Sequence, residues 1–111
     1  MATDEEIHVG DIGTVFVVTI KEGTTAVDIS NALQRILYIQ RKDRTMITIN
    51  PASFASGDYG AGDGTDGKLM YTSVLGDLTI KGTYKIQAKV EMPNGQWYSS
   101  IASFDVYVNL V

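Results

Sequence analysis

The sequence predicts an all-β chain, an antiparallel sandwich of seven to eight strands, on two observations. Short runs of β-branched and aromatic residues are separated by clusters of Gly, Asp, Asn and Pro, as strands are separated by turns. No stretch carries a long helical period. A length of 111 residues and a hydrophobic content of 44% fit one domain with its own core. We expect an N-terminal arm over residues 1–8 and a single domain over residues 9–111.

The first strand is predicted at residues 14–21. Phe16, Val18 and Ile20 share one face of this strand, because successive side chains of a strand point to opposite sides. The opposite face, which carries Val17, is also apolar. We therefore expect the terminal segment to cover part of that face.

Residues 34–40 are ambiguous, since their apolar positions fit both a helix and a strand. We favour a strand, because the polar turn at residues 41–44 leads directly into an alternating run at residues 45–49. The two runs then form a hairpin that ends by Pro51. The basic residues of the turn are expected to be solvated.

Residues 56–67 contain five glycines and are predicted to be a surface loop. Asp58, Asp63 and Asp66 offer hard oxygen ligands, and the pattern is similar to the glycine/aspartate repeats that bind calcium. Those repeats work as tandem stacks, whereas this chain has one copy, without the spacing or the terminal Glu of an EF-hand loop. We favour a surface connection that holds no metal over a calcium site.

The clearest strand is predicted at residues 83–91, where apolar and polar residues alternate. Asn94-Gly95 is a strong hairpin signal, and the return strand continues through residues 101–108. The core predicted from these strands comprises Phe16, Val18, Ile20, Ile39, Ile47, Leu69, Leu78, Tyr84, Ile86, Ala88, Val90, Phe104 and Val106.

The start of that strand is similar to the tyrosine corner of immunoglobulin-like domains. In that corner, a Tyr near the start of a late strand hydrogen-bonds to the upstream backbone, two residues before a core position. Tyr84 occupies the place of the tyrosine and Ile86 that of the core residue. The alternative is that Tyr84 is an ordinary core aromatic residue. The corner makes the predicted sandwich an immunoglobulin-like one.

Composition argues against several classes of function. The net charge is −4 and most basic residues are scattered singly, so the chain lacks the basic face that binds nucleic acid. The longest apolar stretch is too short to cross a bilayer, and the acidic N-terminus is unlike a secretory signal. The absence of cysteine excludes thiol nucleophiles, disulfides and Cys-zinc sites, and it suits a reducing cytoplasm.

The sequence offers no catalytic residue and no cofactor-binding motif. His8 is the single histidine and is expected to be exposed in the acidic N-terminal segment. No Gly-x-Ser-x-Gly motif is present, and carboxylate pairs such as Asp63 and Asp66 lie in the predicted loop. We therefore expect a chain that is not an enzyme.

Four aromatic residues are candidates for contact with a partner. Trp97 and Tyr98 follow the Asn94-Gly95 turn and point to opposite faces of a strand, so we expect one in the core and the other at the surface. Tyr59 and Tyr107 are further candidates, since aromatic residues dominate interface hot spots. The alternative is that a single exposed aromatic residue is incidental.

Several short motifs stand in a suggestive order along the chain. They are Gly10-Asp11-Ile12-Gly13-Thr14-Val15-Phe16, Asp28-Ile29-Ser30, Ile39-Gln40-Arg41-Lys42-Asp43-Arg44-Thr45, Asp66-Gly67-Lys68-Leu69-Met70-Tyr71-Thr72, Gly82-Thr83-Tyr84-Lys85-Ile86-Gln87-Ala88 and Pro93-Asn94-Gly95-Gln96-Trp97-Tyr98-Ser99-Ser100. Together they resemble small immunoglobulin-like virion proteins of tailed bacteriophages, similar to the N-terminal domain of phage baseplate upper proteins. The family's Pro-Asp-Gly turn is replaced here by Lys42-Asp43-Arg44, and its pattern consists of scaffold positions, so no functional residue carries over.

The resemblance implies a non-enzymatic structural subunit of a phage virion, in the tail, baseplate or fibre-attachment region. Its expected partners are other virion proteins and further copies of itself, and its expected location is the virion after synthesis in the host cytoplasm. The alternatives are a capsid decoration protein and a host-surface adhesion module. The closing strand at residues 101–108 carries a single charge. If it lies at a sheet edge, it offers backbone groups to a neighbouring subunit.

Overall fold

The structure, a computed structural model, describes residues 6–110. This part of the chain is all β, apart from a single turn of 3₁₀ helix at Gly57–Tyr59. Four of its eleven strands are two residues long. The strands are β1 (Ile7–His8), β2 (Val15–Thr19), β3 (Lys21–Glu22), β4 (Thr25–Ala26), β5 (Gln34–Gln40), β6 (Met46–Ile49), β7 (Ser53–Phe54), β8 (Lys68–Thr72), β9 (Gly82–Met92), β10 (Gly95–Tyr98) and β11 (Ala102–Tyr107).

β9 is the central strand of a six-stranded sheet in the order β1-β11-β9-β5-β6, with β10 also paired to β9. β5 runs along one edge of β9, while β11 and β10 follow each other along the other edge. All these pairings are antiparallel except that of β1 with β11. The alternation in β9 explains its position, because its apolar side chains are buried between the sheets while Lys85 and Glu91 are exposed.

A three-stranded sheet in the order β2-β8-β7 supplies the other side of the core, and β3 and β4 form a separate hairpin. Val18 and Leu69 of this sheet belong to the same buried cluster as Leu37 and Tyr84 of the six-stranded sheet. Aromatic rings also join the two sheets: the ring centroids of Phe16 and Phe104 lie 4.7 Å apart.

Most predicted core residues are buried, and Phe16, Ile47 and Phe104 pack against the core while partly exposed. The prediction omitted Ile29 and Leu37, both fully buried. Ile29 lies in an irregular connection without alternation, where its N–H donates to the Gly64 C=O (2.9 Å). Leu37 belongs to the ambiguous segment at residues 34–40, on the same face as Ile39, which the prediction included. That segment is the strand β5, and it forms the predicted hairpin with β6.

The hydrogen bond predicted from Tyr84 to the upstream backbone is confirmed. The side chain of Tyr84 is fully buried, and its hydroxyl donates to the Ile80 C=O at 2.6 Å. Ile86, two residues on, is 5% exposed. The hydrogen bond therefore ties the start of β9 to the segment that precedes it.

The expectation that the 41–44 turn is solvated is wrong for Arg41. Its Nε donates to the Asp77 C=O (2.9 Å) and its Nη2 donates to the Gly76 C=O (3.0 Å). Asp77 itself is 8% exposed, and its carboxylate accepts hydrogen bonds from the Tyr71 hydroxyl (2.5 Å) and the Val74 N–H (2.9 Å). Arg41 thus holds two carbonyls of the connection between β8 and β9, a distant partner that the local sequence does not reveal.

The described part of the N-terminal arm pairs with β11 and not with β2. Ile7 and His8, at the end of the predicted arm, pair with β11 in the six-stranded sheet, and residues 1–5 of that arm lie outside the described residues. Val17, on the outer face of β2, is 40% exposed. β2 pairs with β8 on one side, and no described strand pairs with its other edge.

Candidate interaction surface

The outer face of the six-stranded sheet is the surface on which polar and apolar side chains converge. The pairing register places Tyr38 and Gln87 opposite each other on this face, and Met46 opposite Gln40. We call this surface the outer face. Its exposed and partly exposed residues include Tyr38, Gln40, Met46, Lys85, Gln87, Lys89, Glu91, Tyr98, Ile101 and Asp105.

A groove of about 190 Å³ runs across the outer face, from β6 over β5 and β9 to the segment before β11. Met46 and Ile101 lie at its two ends, and Tyr38 and Lys85 line it between them. Met46 is 52% exposed and Ile101 63% exposed. Large exposed apolar side chains that flank one groove are typical of a contact surface.

Tyr98 projects from the same face as this groove, while its neighbour Trp97 points inward. Trp97 packs against the core cluster and is partly buried, and Tyr98 is 50% exposed. The predicted division of this pair between core and surface is therefore confirmed. The ammonium group of Lys89 lies 5.7 Å from the centroid of the Tyr98 ring, within the range of a cation–π contact.

The other two aromatic candidates lie apart from Tyr98. Tyr59 is in the 3₁₀ turn of the 56–67 loop and is 46% exposed. Tyr107, 44% exposed, is at the end of β11, and the pairing register separates it from Tyr98 by roughly 25 Å along β9 at about 3.3 Å per residue. The structure therefore does not gather the four predicted residues into one site.

Tyr107 has His8 as its neighbour instead. Their ring centroids are 6.2 Å apart, and the Nδ1 of His8 lies 3.2 Å from the Val108 C=O. The Nε2 of His8 lies 3.3 Å from a Glu6 carboxylate oxygen. His8 therefore lies against the end of β11 with its side chain 36% exposed, which is more covered than expected.

The closing strand β11 is an edge over only part of its length. Val106 and Tyr107 pair with β1, and the Val9 N–H donates to the Tyr107 C=O. Among the described strands, none pairs with the outer side of β11 over residues 102–105. The expected open edge is therefore shortened to this segment, which adjoins Ile101 and the groove.

Two of the three acidic residues of the 56–67 loop, Asp63 and Asp66, accept local hydrogen bonds. Asp63 accepts hydrogen bonds from the Thr65 N–H and hydroxyl, and these bonds lower the pKa of its carboxyl. Asp66 accepts from the N–H groups of Ala61 and Lys68. Over residues 6–110, no group of three or more His, Cys, Asp or Glu side chains is placed to hold a metal ion.

The Tyr71 hydroxyl, which donates to the Asp77 carboxylate, has a raised pKa. Burial raises the pKa of the Tyr71 hydroxyl to about 12, and the hydrogen bond to Asp77 acts in the same direction. Tyr71 lies in β8 and Asp77 in the connection between β8 and β9, so their hydrogen bond ties this connection to the strand, away from the groove.

Comparison with known proteins adds no relative: neither a family model nor a curated protein matches the chain. The described residues also contain no helix with the length and apolar character needed to cross a membrane.

The residues that sequence reasoning missed on the outer face are Tyr38, Met46 and Ile101. Met46 and Ile101 are far apart in the sequence, and their convergence depends on the pairing of β5 with both β6 and β9. The available signal was the apolar character of both faces of residues 34–40, which indicates a strand with a second contact surface.

Proposed function

We propose that the chain is a non-enzymatic structural subunit of a tailed-phage virion, a tail, baseplate or fibre-attachment component that acts through multi-copy assembly. The order of the sequence motifs supports a phage virion as the particle, and the groove on the outer face supports a contact surface on the subunit. Its partners are other virion proteins and further copies of the chain.

The fold of this subunit is proposed to be an immunoglobulin-like sandwich. The order β2-β8-β7 beside β11-β9-β5-β6 supports it, because immunoglobulin-like domains divide their strands between two such sheets. The hydrogen bond from Tyr84 to Ile80 supports it as well, since it closes the corner that is characteristic of those domains.

The observation that carries the proposed function is the groove on the outer face with its exposed apolar margin. Met46, Tyr98 and Ile101 are each at least half exposed, and the open segment of β11 adjoins them. An apolar patch rimmed by polar residues is a common contact between proteins, and a tyrosine at its edge is a typical anchor. Lys85 and Lys89 lie on this face together with Glu91 and Asp105, so the face carries both signs of charge.

The experiment uses particles of the phage or prophage that encodes the chain, made without its gene. Purified, labelled protein is added, and the particles are imaged by cryo-microscopy. We expect density in a ring or lattice, with a tail position favouring the baseplate role and a capsid position favouring a decoration protein.

The matched variants are Ile101→Lys, in the groove, and Leu75→Lys, on an exposed turn outside it. Ile101 is 63% and Leu75 83% exposed, so neither change is expected to unfold the domain. We expect Ile101→Lys to lose particle binding and Leu75→Lys to keep it. Particles that bind no protein, together with saturable binding to host-cell glycans, would replace the assembly role with adhesion.

A further inference from the structure

The open edge of β2 lacks the features that normally protect a sheet edge. Residues 14–20 read Thr-Val-Phe-Val-Val-Thr-Ile and contain no charge, no Pro and no Gly. Proteins usually protect such edges with Lys, Pro, a bulge or a covering segment. Elsewhere, β6 is followed by Pro51, and β11 is partly covered by β1.

The direction of the β2 backbone groups follows from its hydrogen bonds. The Thr14 C=O accepts from the Ser73 N–H, and the Ile20 N–H donates to the Gly67 C=O, so both residues direct their backbone towards β8. The register between them is unbroken. Because successive residues of an antiparallel strand direct these groups to opposite sides, Val15, Val17 and Thr19 direct theirs to the open edge.

The backbone N–H and C=O groups at this open edge are arranged symmetrically about Val17, so they can pair with the same groups of a second copy. In an antiparallel pair of β2 strands with Val17 opposite Val17, Val15 lies opposite Thr19 and Phe16 opposite Val18. Each open N–H then meets an open C=O, and β-branched side chains face each other across the pair, a combination that stabilises sheets. We propose that β2 pairs with β2 of a second copy of this chain across a two-fold axis at Val17.

The charges at the two ends of β2 favour the antiparallel arrangement. At the Thr19 end are Lys68, the β8 partner of Thr19, and Lys21, with Glu22 one residue further. At the Val15 end is Asp11, whose C=O lies 3.4 Å from the Ser73 hydroxyl. An antiparallel pair brings the lysine end of one copy to the aspartate end of the other, whereas a parallel pair places lysines beside lysines.

The pairing joins the three-stranded sheets of two copies into one continuous sheet and leaves the outer face of each copy free. Two strands of five residues bury less surface than a stable dimer requires, so the dimer forms at high protein concentration or where other contacts hold copies together. This inference concerns the chain alone and does not depend on the proposed function.

The first test introduces a positive or a negative charge at Val17, an exposed position of β2. In the proposed dimer, Val17→Lys places two lysines opposite each other and Val17→Glu places two glutamates there. We expect each variant alone to lose the dimer in sedimentation velocity, and an equal mixture of the two to recover it as a heterodimer. The recovery separates loss of pairing from loss of folding. Leu33→Lys, at a 65% exposed position outside both β2 and the outer face, is expected to leave the dimer unchanged.

The second test measures the register with single cysteines, since the natural chain has none. The Cα atoms of directly opposite residues lie about 5.5 Å apart in a hydrogen-bonded pair, a distance that a disulfide spans. We expect Val17→Cys to oxidise rapidly to a covalent dimer. Val15→Cys should do so slowly alone but rapidly when mixed with Thr19→Cys, and Met46→Cys on β6 serves as the control.

Two results would overturn the pairing. One is a natural chain that stays monomeric at every concentration, with Val17→Cys cross-linking no faster than Met46→Cys. The other is a dimer in which Met46→Cys cross-links and the charge changes at Val17 have no effect, because such a dimer uses β6.

Discussion

The Tyr84 hydroxyl and the Ile80 backbone are joined by two hydrogen bonds. The hydroxyl donates to the Ile80 C=O at 2.6 Å and accepts from the Ile80 N–H at 3.3 Å. The ring of Tyr84 is fully buried beside Phe104, with centroids 5.3 Å apart. One side chain therefore fills the core and also fixes the segment that enters β9.

Replacing Tyr84 with Phe removes the hydroxyl and leaves the ring. We expect the free energy of unfolding to fall by about 0.5–1.5 kcal/mol, the usual net contribution of one hydrogen bond. The loss is larger if the Ile80 C=O, which the hydroxyl now serves, is left without any partner. Urea denaturation of the two proteins measures the loss. Tyr98→Phe, at a half-exposed position, is the control and should change little. Coincident transitions of the natural chain and Tyr84→Phe would show that the corner does not stabilise the domain.

Replacing Ile86 with Ala creates a cavity in the centre of the core. The side chain is 5% exposed and belongs to the buried cluster, so we expect a loss of about 2–5 kcal/mol in stability. Ile12→Ala, at a position 63% exposed, is the matched control and should have a small effect. If the two changes have equal effects in thermal or urea unfolding, Ile86 does not lie on the buried face of β9.

Raising the pH should weaken the domain through Tyr71. Its pKa in the folded protein is about 12, above the ordinary value of 10.0, so the folded state holds the proton more tightly than the unfolded state does. The stabilisation that the protonated Tyr71 hydroxyl gives to the folded state is complete below about pH 10 and is lost as the pH rises through about 12.

Urea denaturation of the natural chain and of Tyr71→Phe at a series of pH values tests this dependence. The stability of the natural chain should fall relative to that of Tyr71→Phe above pH 10, and Tyr98→Phe should still show the fall. Parallel pH profiles of the natural chain and Tyr71→Phe would mean that the hydroxyl titrates normally.

Replacing Gly67 with Ala should destabilise the domain more than the same change at Gly62. Both glycines have positive φ, +73° and +90°, so both changes carry a similar backbone cost. A β-carbon at Gly67 would lie 2.6 Å from the Val27 carbonyl oxygen, whereas at Gly62 the nearest contact is 3.7 Å. We expect an additional loss of about 1–3 kcal/mol for Gly67→Ala in urea unfolding. Similar stabilities of the two variants would show that the backbone at Val27 yields to the methyl group.

The regular strands could be predicted from sequence because their signals are local. In β9 the alternation of residues 83–91 identifies both the strand and its buried face, and Tyr84 carries the signal for its own hydrogen bond. The hairpin of β5 and β6 was identified by its turn. In each case, the information lies within about ten residues of the feature it predicts.

The features that escaped prediction depend on distant parts of the chain. Arg41 looks solvated in its own turn, yet it binds carbonyls 35 and 36 residues away. β1 pairs with the far end of β11, which shortens the open edge expected for the closing strand. The groove between Met46 and Ile101 likewise depends on the order of strands in the sheet, which alternation within a strand does not specify.

The central place of β9 also sets the order in which the domain can fold during synthesis. Until Gly82–Met92 has left the ribosome, β5 has only β6 beside it, and neither β10 nor β11 has a strand to join. The nascent chain meanwhile contains the uncharged residues 14–20, which have β8 as their single described partner. Most of the sheet therefore forms late and all at once, since its contacts are long-range. Ribosome-bound chains stopped before Gly82 should be open to protease, and protection should appear after the last strand emerges.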